Sequence, residues 1–437
     1  MRSAKLFVCS IALLPAACAQ ALAEKQDFFN LKISADYGNS DNATLVSDQE
    51  PRFSERQGLY TALAGIRYNN DWSNLSSNYR LQRETFERDS QPNLTEFEGR
   101  TQLIFGNDFY PLGLTLSHDR RAMLNAPDAI DLTSNRDTRD IVSVAPSVKA
   151  RIGDADALMI MGSYTDISYK EDEFRQSEQQ GGQLAWIHGI SKTDQFQVDL
   201  QQIETTFDKV SSANYKLQTA SAGYGVALKR LKYSLRVGYN KAISESSNKD
   251  FASPVYQFES SYDSGFNIFS LSLSQTITDS SSIGGAGSLD NFSPGASVPS
   301  SKGVGLDLIN LRNATLAWTT EAICERCSFG VNASQMKQDY KDLREDGDEY
   351  SLSAHLSYKL SRASSVKLST SHRERKFSDT AVRAGFDADI TRISLGHDLM
   401  GGFQLELYAQ QEKRSSKISS QNYKENIAGV KVTYDFK

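Results

Sequence analysis

The residues able to do covalent or metal chemistry are few, and their spacing does not favour it. Five histidines occur in 437 residues: His118, His188, His355, His372 and His397. His118-Asp119 and His397-Asp398 set a carboxylate beside an imidazole, the kind of neighbour a general base uses. Adjacent residues of a strand point to opposite faces, so neither pair is a built dyad if these segments are strands. The chain has no Gly-x-Ser-x-Gly, no His-Glu-x-x-His and no phosphate-cradling glycine loop. The acidic run 342–349 lacks EF-hand spacing and reads as a solvated loop. Serine is abundant, so a triad assembled in space stays open as an alternative. The leading expectation is a non-enzyme with no cofactor and no metal.

Cysteine usage points to an oxidising compartment. Cys9 and Cys18 lie in an amino-terminal stretch with the marks of a cleaved signal peptide over 1–23. Arg2 and Lys5 form its positive end, 6–14 its apolar core, and Ala21-Leu22-Ala23 its small-x-small cleavage site. Pro15 fits a lipoprotein box around Cys18 poorly. Cys324 and Cys327 are then the only thiols in 24–437, the remainder assigned to one domain. Cys-Glu-Arg-Cys between two strand-like segments predicts a structural disulfide closing a turn. A lone Cys-x-x-Cys is a weak zinc signal.

Bulk composition narrows the class. The chain carries 48 Lys and Arg against 54 Asp and Glu, a net charge of −6, which gives no support for nucleic-acid binding. Mean hydropathy is −0.47, and no apolar run approaches eighteen residues, which excludes a bundle of membrane helices. A wet barrel has this average, because lipid-facing apolar residues alternate with polar lumen-facing ones.

The elements that must position any site are strands. Tyr60, Ala62, Ala64, Ile66 and Tyr68 alternate with polar or small residues that include Arg67. Tyr233, Leu235, Val237 and Tyr239 alternate with Lys232, Ser234, Arg236 and Asn240. Tyr350, Leu352, Ala354, Leu356 and Tyr358 alternate with Ser351, Ser353, His355 and Lys359. Period-2 patterning of this length marks strands with one apolar face. Tyr60 and Tyr68, like Tyr350 and Tyr358, are eight residues apart, about 26 Å of strand or roughly 20 Å of membrane normal at the usual tilt. That is the height of a lipid-facing band with aromatic girdles at both edges, here Tyr60, Tyr68, Tyr233, Tyr239, Tyr350 and Tyr358.

Connections alternate between short ones, such as 69–74 and 361–364, and long polar ones, such as 38–57 and 123–139. Short periplasmic turns and long extracellular loops give this rhythm. The glycine- and serine-rich stretch 280–305 reads as one more loop. The fold class is therefore all-β: a single transmembrane antiparallel up-and-down β-barrel of about 18 strands, within 16 to 20. The stretch 255–277 can be read as one strand or two, and Pro146 inside a strand has no explanation in the sequence. With the aliphatic sides toward lipid, Arg67, Arg236, Lys359, Lys367, Arg373 and Arg375 line the lumen, the last three as the densest basic track.

Tyr434-x-Phe436, just before Lys437, resembles the carboxy-terminal insertion signal of bacterial outer-membrane barrels. The signal peptide, tyrosine-bracketed strands, Arg/Glu-rich strand ends and closing strand 423–436 resemble the outer-membrane β-barrels of exopolysaccharide-production systems, including those associated with PEP-CTERM sorting. That likeness implies a pore or accessory protein for export or surface display of polysaccharide in the outer membrane of a Gram-negative bacterium. The implied partners are lipid and lipopolysaccharide, the barrel-insertion machinery, the secreted polysaccharide and periplasmic export proteins. A general diffusion porin for small solutes and a rim-located outer-membrane hydrolase are the alternatives. The family shares no catalytic motif, so the likeness brings no catalytic residue with it.

Overall fold

The computed structural model describes residues 28–47, 49–106, 111–245, 250–280, 300–301, 306–380 and 383–436. The expected leader at 1–23 and nearly all of the glycine- and serine-rich stretch lie outside them. Alternating sequence becomes 21 strands in chain order. The first seven are β1 (Phe28–Ser40), β2 (Glu55–Asn69), β3 (Ser73–Phe86), β4 (Leu94–Phe105), β5 (Leu112–Leu124), β6 (Arg136–Ile152) and β7 (Asp156–Tyr169). Then come β8 (Ser177–Gly189), β9 (Asp194–Phe207), β10 (Tyr215–Ala227), β11 (Leu231–Ser244), β12 (Asp250–Asp263), β13 (Asn267–Asp279) and the two-residue β14 (Ser300–Ser301). The last seven are β15 (Leu308–Thr320), β16 (Cys327–Tyr340), β17 (Gly347–Lys359), β18 (Ser364–Phe377), β19 (Phe386–Asp398), β20 (Phe403–Ser416) and β21 (Tyr423–Phe436).

All but β14 pair antiparallel with their chain neighbours, and β1 pairs with β21 from Leu31↔Phe436 to Ser40↔Ile427. The result is a closed barrel of 20 strands, the upper end of the expected range. Closure leaves no edge of N–H and C=O groups facing hydrocarbon. The ambiguous stretch 255–277 is two strands, β12 and β13. They meet in a three-residue turn where Gly265 takes φ +93°, a conformation that favours glycine. Pro146 faces outward in β6, and the pairing with β7 is interrupted at Ala145 and Pro146. Its ring lies 3.8 Å from where a Cβ on Gly162 would stand, so the neighbouring strand makes room with a glycine.

Both ends of the described chain lie at the same rim. Connections there run three to six residues, and those at the opposite rim run five to 28, so the first rim is periplasmic and the second extracellular. Strands of 12 to 17 residues exceed the nine to eleven or so that span a bilayer. The excess is extracellular, and the dry core sits there. Phe207, Tyr215, Ala242, Ile277 and Leu308 form one buried cluster and Met123, Ile167 and Tyr169 a second, all near the outer strand ends.

Candidate functional site: the lumen and its outer mouth

Twenty strands about 4.8 Å apart and tilted about 40° enclose a ring roughly 40 Å across between backbones. Side chains and loops must fill or line that space. On β18, Val366, Leu368 and Thr370 face out, while Lys367, Arg373 and Arg375 share the inner face with Ser365, Ser369 and Ser371. Cross-strand register carries the inner face into β17 through Ser351↔Arg373, Ser353↔Ser371 and Ser357↔Lys367, which also sets Lys359 inward. It continues into β16 through Ser334↔Ser351 and Asn332↔Ser353. Arg67 on β2 and Arg236 on β11 are inward by the same criteria. This arc of the wall is mostly hydroxyl and amide.

The three members of the basic track are not equivalent. Arg373 is 9 % and Arg375 2 % exposed. Both donate to the same Glu349 oxygen at 2.8 Å, and Arg375 also donates to Gln338 at 2.8 Å. Their guanidinium carbons lie 5.4 Å from the Phe386 ring and 5.2 Å from Phe377. A carboxylate between two guanidiniums neutralises much of their field, so these arginines belong to the wall's packing. Lys367 and Lys359 are exposed, and among the described residues neither makes an ion pair. Arg236 is 3.5 Å from Asp199. Sequence reading missed Glu349, although its alternation with Ser351 on the inner face of β17 is visible in the chain.

Cations concentrate toward the periplasmic end of the inner face. Arg67, Lys149, Arg151, Lys232, Lys359 and Lys367 stand there, against Glu259, Asp263 and Asp398. Lys32 is matched by Asp435 at 3.1 Å. Higher in the lumen the signs interleave. Arg136 bonds Glu84 (2.9 Å), Glu96 (2.8 Å) and Asp131 (2.8 Å), Arg80 bonds Glu98, and Arg392 bonds Glu406 (2.9 Å).

The extracellular mouth is crossed by chain. The loop 125–135 leaves β5 and is anchored first by Thr133, whose N–H and hydroxyl donate to Gln91 and Pro92. It then reaches β20, six strands away around the ring. There Arg414 donates to the carbonyl oxygens of Asp128 and Ala129. Arg383, between β18 and β19, bonds the Asp128 carboxylate and also Glu345. Burial would lower the Arg383 pKa, but Glu345 and Asp128 outweigh it and hold it above its ordinary value. Pro127 is fully buried within the loop. From the other side, Ser300–Ser301 pairs in parallel with Met123 and Leu124 at the outer end of β5.

Four of the five histidines find partners on neighbouring strands. His118 sits between Asp140 (3.2 Å) and Tyr79 (2.6 Å), and His372 meets Asp389 at 2.8 Å. His188 meets Asp156 at 2.9 Å and His397 meets Ser364 at 2.8 Å. The sequence neighbours Asp119 and Asp398 are not the partners. All four imidazoles lie on the outward face of the wall, and only His355 faces the lumen. Among the described residues no group of three or more His, Cys, Asp or Glu could hold a metal ion.

The outward face carries the tyrosines of the expected girdles. Tyr60, Tyr68, Tyr239, Tyr350 and Tyr358 are 40 to 55 % exposed, and Tyr233 packs on Tyr224 with centroids 6.2 Å apart. Tyr434 contacts both Phe403 (4.6 Å) and Phe436 (4.5 Å) at the periplasmic edge. Cys324 and Cys327 are joined as a disulfide in the turn before β16, with Cα atoms 5.3 Å apart.

No protein-family model and no curated protein matches the chain. Among solved structures, the siderophore receptor PirA from Acinetobacter baumannii aligns over 95 % of this chain and 81 % of its own, at 8 % identity and a TM-score of 0.49. The outer membrane channel DcaP of Acinetobacter baumannii aligns over 94 % and 97 %, at 10 % identity and 0.43. OccK1 of Pseudomonas aeruginosa aligns over 93 % and 98 %, at 10 % identity and 0.37. Likeness at this level assigns no cargo and no activity. The closed ring of 20 strands, apolar outward and polar inward, is by its own geometry an outer-membrane β-barrel of channel-like build.

Proposed function

We propose that the chain is an outer-membrane channel for hydroxyl-rich saccharides that are neutral or acidic, with secreted polysaccharide as the passenger class its sequence resemblance suggests. The observation that carries this reading is the periplasmic vestibule. Six inward cations there stand against three carboxylates, Glu259, Asp263 and Asp398, that make no ion pair among the described residues, beside a wall rich in serine and asparagine. Hydroxyl and amide side chains exchange hydrogen bonds with sugar hydroxyls at little net cost, and positive potential draws in carboxylated or sulfated sugars. Such a vestibule suits a passenger arriving from the periplasm. Loop 125–135 across the outer mouth makes release a step that needs the loop to move.

Swelling of liposomes containing the purified protein tests this. Acidic oligosaccharides should enter faster than cationic saccharides of equal size, and the difference should shrink as salt rises. Equal rates for both charges would remove the vestibule's role and leave an unselective porin.

A further inference from the structure

The outward face of the extracellular collar is electrically lopsided. Around most of the ring its cations are matched. Lys216 is 3.6 Å from Glu204 and 3.4 Å from Glu245, Lys241 is 2.6 Å from Asp250, and Arg312 and Lys376 bond Asp339 and Glu374. The arc β20–β21–β1–β2–β3 differs. Lys413 and Lys424 stand directly opposite each other in register, and Arg56 and Arg83 follow on the next outward-facing strands. Among the described residues, Lys413, Lys424 and Arg83 make no ion pair. Asp389, opposite Lys413, bonds His372 instead. Arg56 reaches Glu87 only at 3.8 Å, with both side chains more than half exposed.

Like charges directly opposite on a sheet repel, so the Lys413–Lys424 pair is unfavourable unless an anion bridges it. Depth identifies the anion. Arg83 pairs with Tyr60 at the outer tyrosine girdle, the edge of the hydrocarbon. Arg56 is four residues further out on β2, roughly 10 Å along the membrane normal at usual rise and tilt. A phospholipid offers its phosphate at one depth, whereas a glycolipid phosphorylated on successive sugars offers anions at both.

We propose that the outward arc formed by Lys413, Lys424, Arg56 and Arg83 binds the phosphates of a multiply phosphorylated outer-leaflet glycolipid. The barrel then carries an ordered lipid on one side, the side that holds the seam between β1 and β21.

The test uses the full-length barrel, purified and refolded without lipopolysaccharide. Binding of lipopolysaccharide, enzymatically dephosphorylated lipopolysaccharide, phosphatidylglycerol and inorganic phosphate is compared by native mass spectrometry. The triple variant Lys413→Gln, Lys424→Gln, Arg56→Gln is compared with the control pair Lys216→Gln, Lys241→Gln. Heat-modifiable gel mobility confirms that each variant is folded. At about a fivefold change per surface cation, the triple variant should lose roughly a hundredfold in affinity for intact lipopolysaccharide. The control pair should lose little, and the dephosphorylated form should bind weakly to every protein. Equal losses in the triple variant and the control pair would overturn the proposal, as would equal binding of phosphatidylglycerol or free phosphate. So would undiminished binding of dephosphorylated lipopolysaccharide.

Discussion

Replacing Arg383 with alanine should free loop 125–135 from the mouth of the barrel. Arg383 is 22 % exposed, and its partners Asp128 and Glu345 are 13 % and 14 % exposed, so solvent screens these contacts only in part. A hydrogen bond to a charged group contributes about 1.5 to 3 kcal/mol. Only the Asp128 bond ties the loop to Arg383, while Glu345, between β16 and β17, positions the guanidinium, so about 2 kcal/mol is a fair figure for the latch. Loss of about 2 kcal/mol multiplies the open population by roughly 30, since each 1.4 kcal/mol is tenfold. Arg414 still holds the carbonyls of Asp128 and Ala129, so the loop should open in bursts and not leave the lumen for good. Single-channel recording in planar bilayers reads this directly, as longer and more frequent high-conductance events in Arg383→Ala. Proteolysis within 125–135 should accelerate in parallel. Identical traces and identical cleavage in the folded variant would mean that the Arg383–Asp128 pair does not hold the loop.

Other substitutions probe the wall. Arginine at Leu235, Val237 or Leu352 should destabilise the barrel by about 2 to 4 kcal/mol in lipid-based unfolding, while Ser234→Ala and Ser353→Ala should cost little. Arg375→Gln should cost about 2 to 4 kcal/mol in the same assay, because it removes a 2 % exposed cation from Glu349, whereas Lys367→Gln should be close to neutral. Cys327→Ser should fold normally, since so short a closed loop restrains the unfolded chain little. Free-thiol labelling of the native, unreduced parent should find no reactive thiol.

What the chain displays locally was readable, and what depends on register was not. Alternation around Tyr233–Tyr239 and Tyr350–Tyr358 identifies strands and their outward faces because a strand's period is a property of its own residues. The expected range of 16 to 20 strands includes the 20 observed, and the stretch left open, 255–277, is divided into β12 and β13 at the turn that holds Gly265. Partnerships between strands require knowing which residues stand opposite, and that is set only when the ring closes. Hence Asp140, and not Asp119, meets His118, and Glu349 neutralises two arginines that looked like a free basic track. For the same reason, replacing Lys367, Arg373 and Arg375 together would disturb packing and charge at once, so it cannot isolate the pore's field. The crossing of loop 125–135 was hidden more deeply, since Asp128 and Arg383 are 255 residues apart. Arg383 carries no mark in the sequence that sets it apart from other loop arginines.

The vestibule's charge is the centre of the functional proposal, and a reversal potential measures it most directly. With a salt gradient across a planar bilayer containing the open channel, the parent protein should favour anions. Acidic oligosaccharide added on the periplasmic side should interrupt its current. The variant Arg67→Gln, Lys359→Gln, Lys367→Gln leaves the buried Glu349 cluster intact. It should fold, lose most of the anion preference and show block that is weaker by about tenfold or more. A parent channel that favours cations, or a variant with unchanged selectivity and unchanged block, would contradict the proposal that these cations recruit an acidic saccharide.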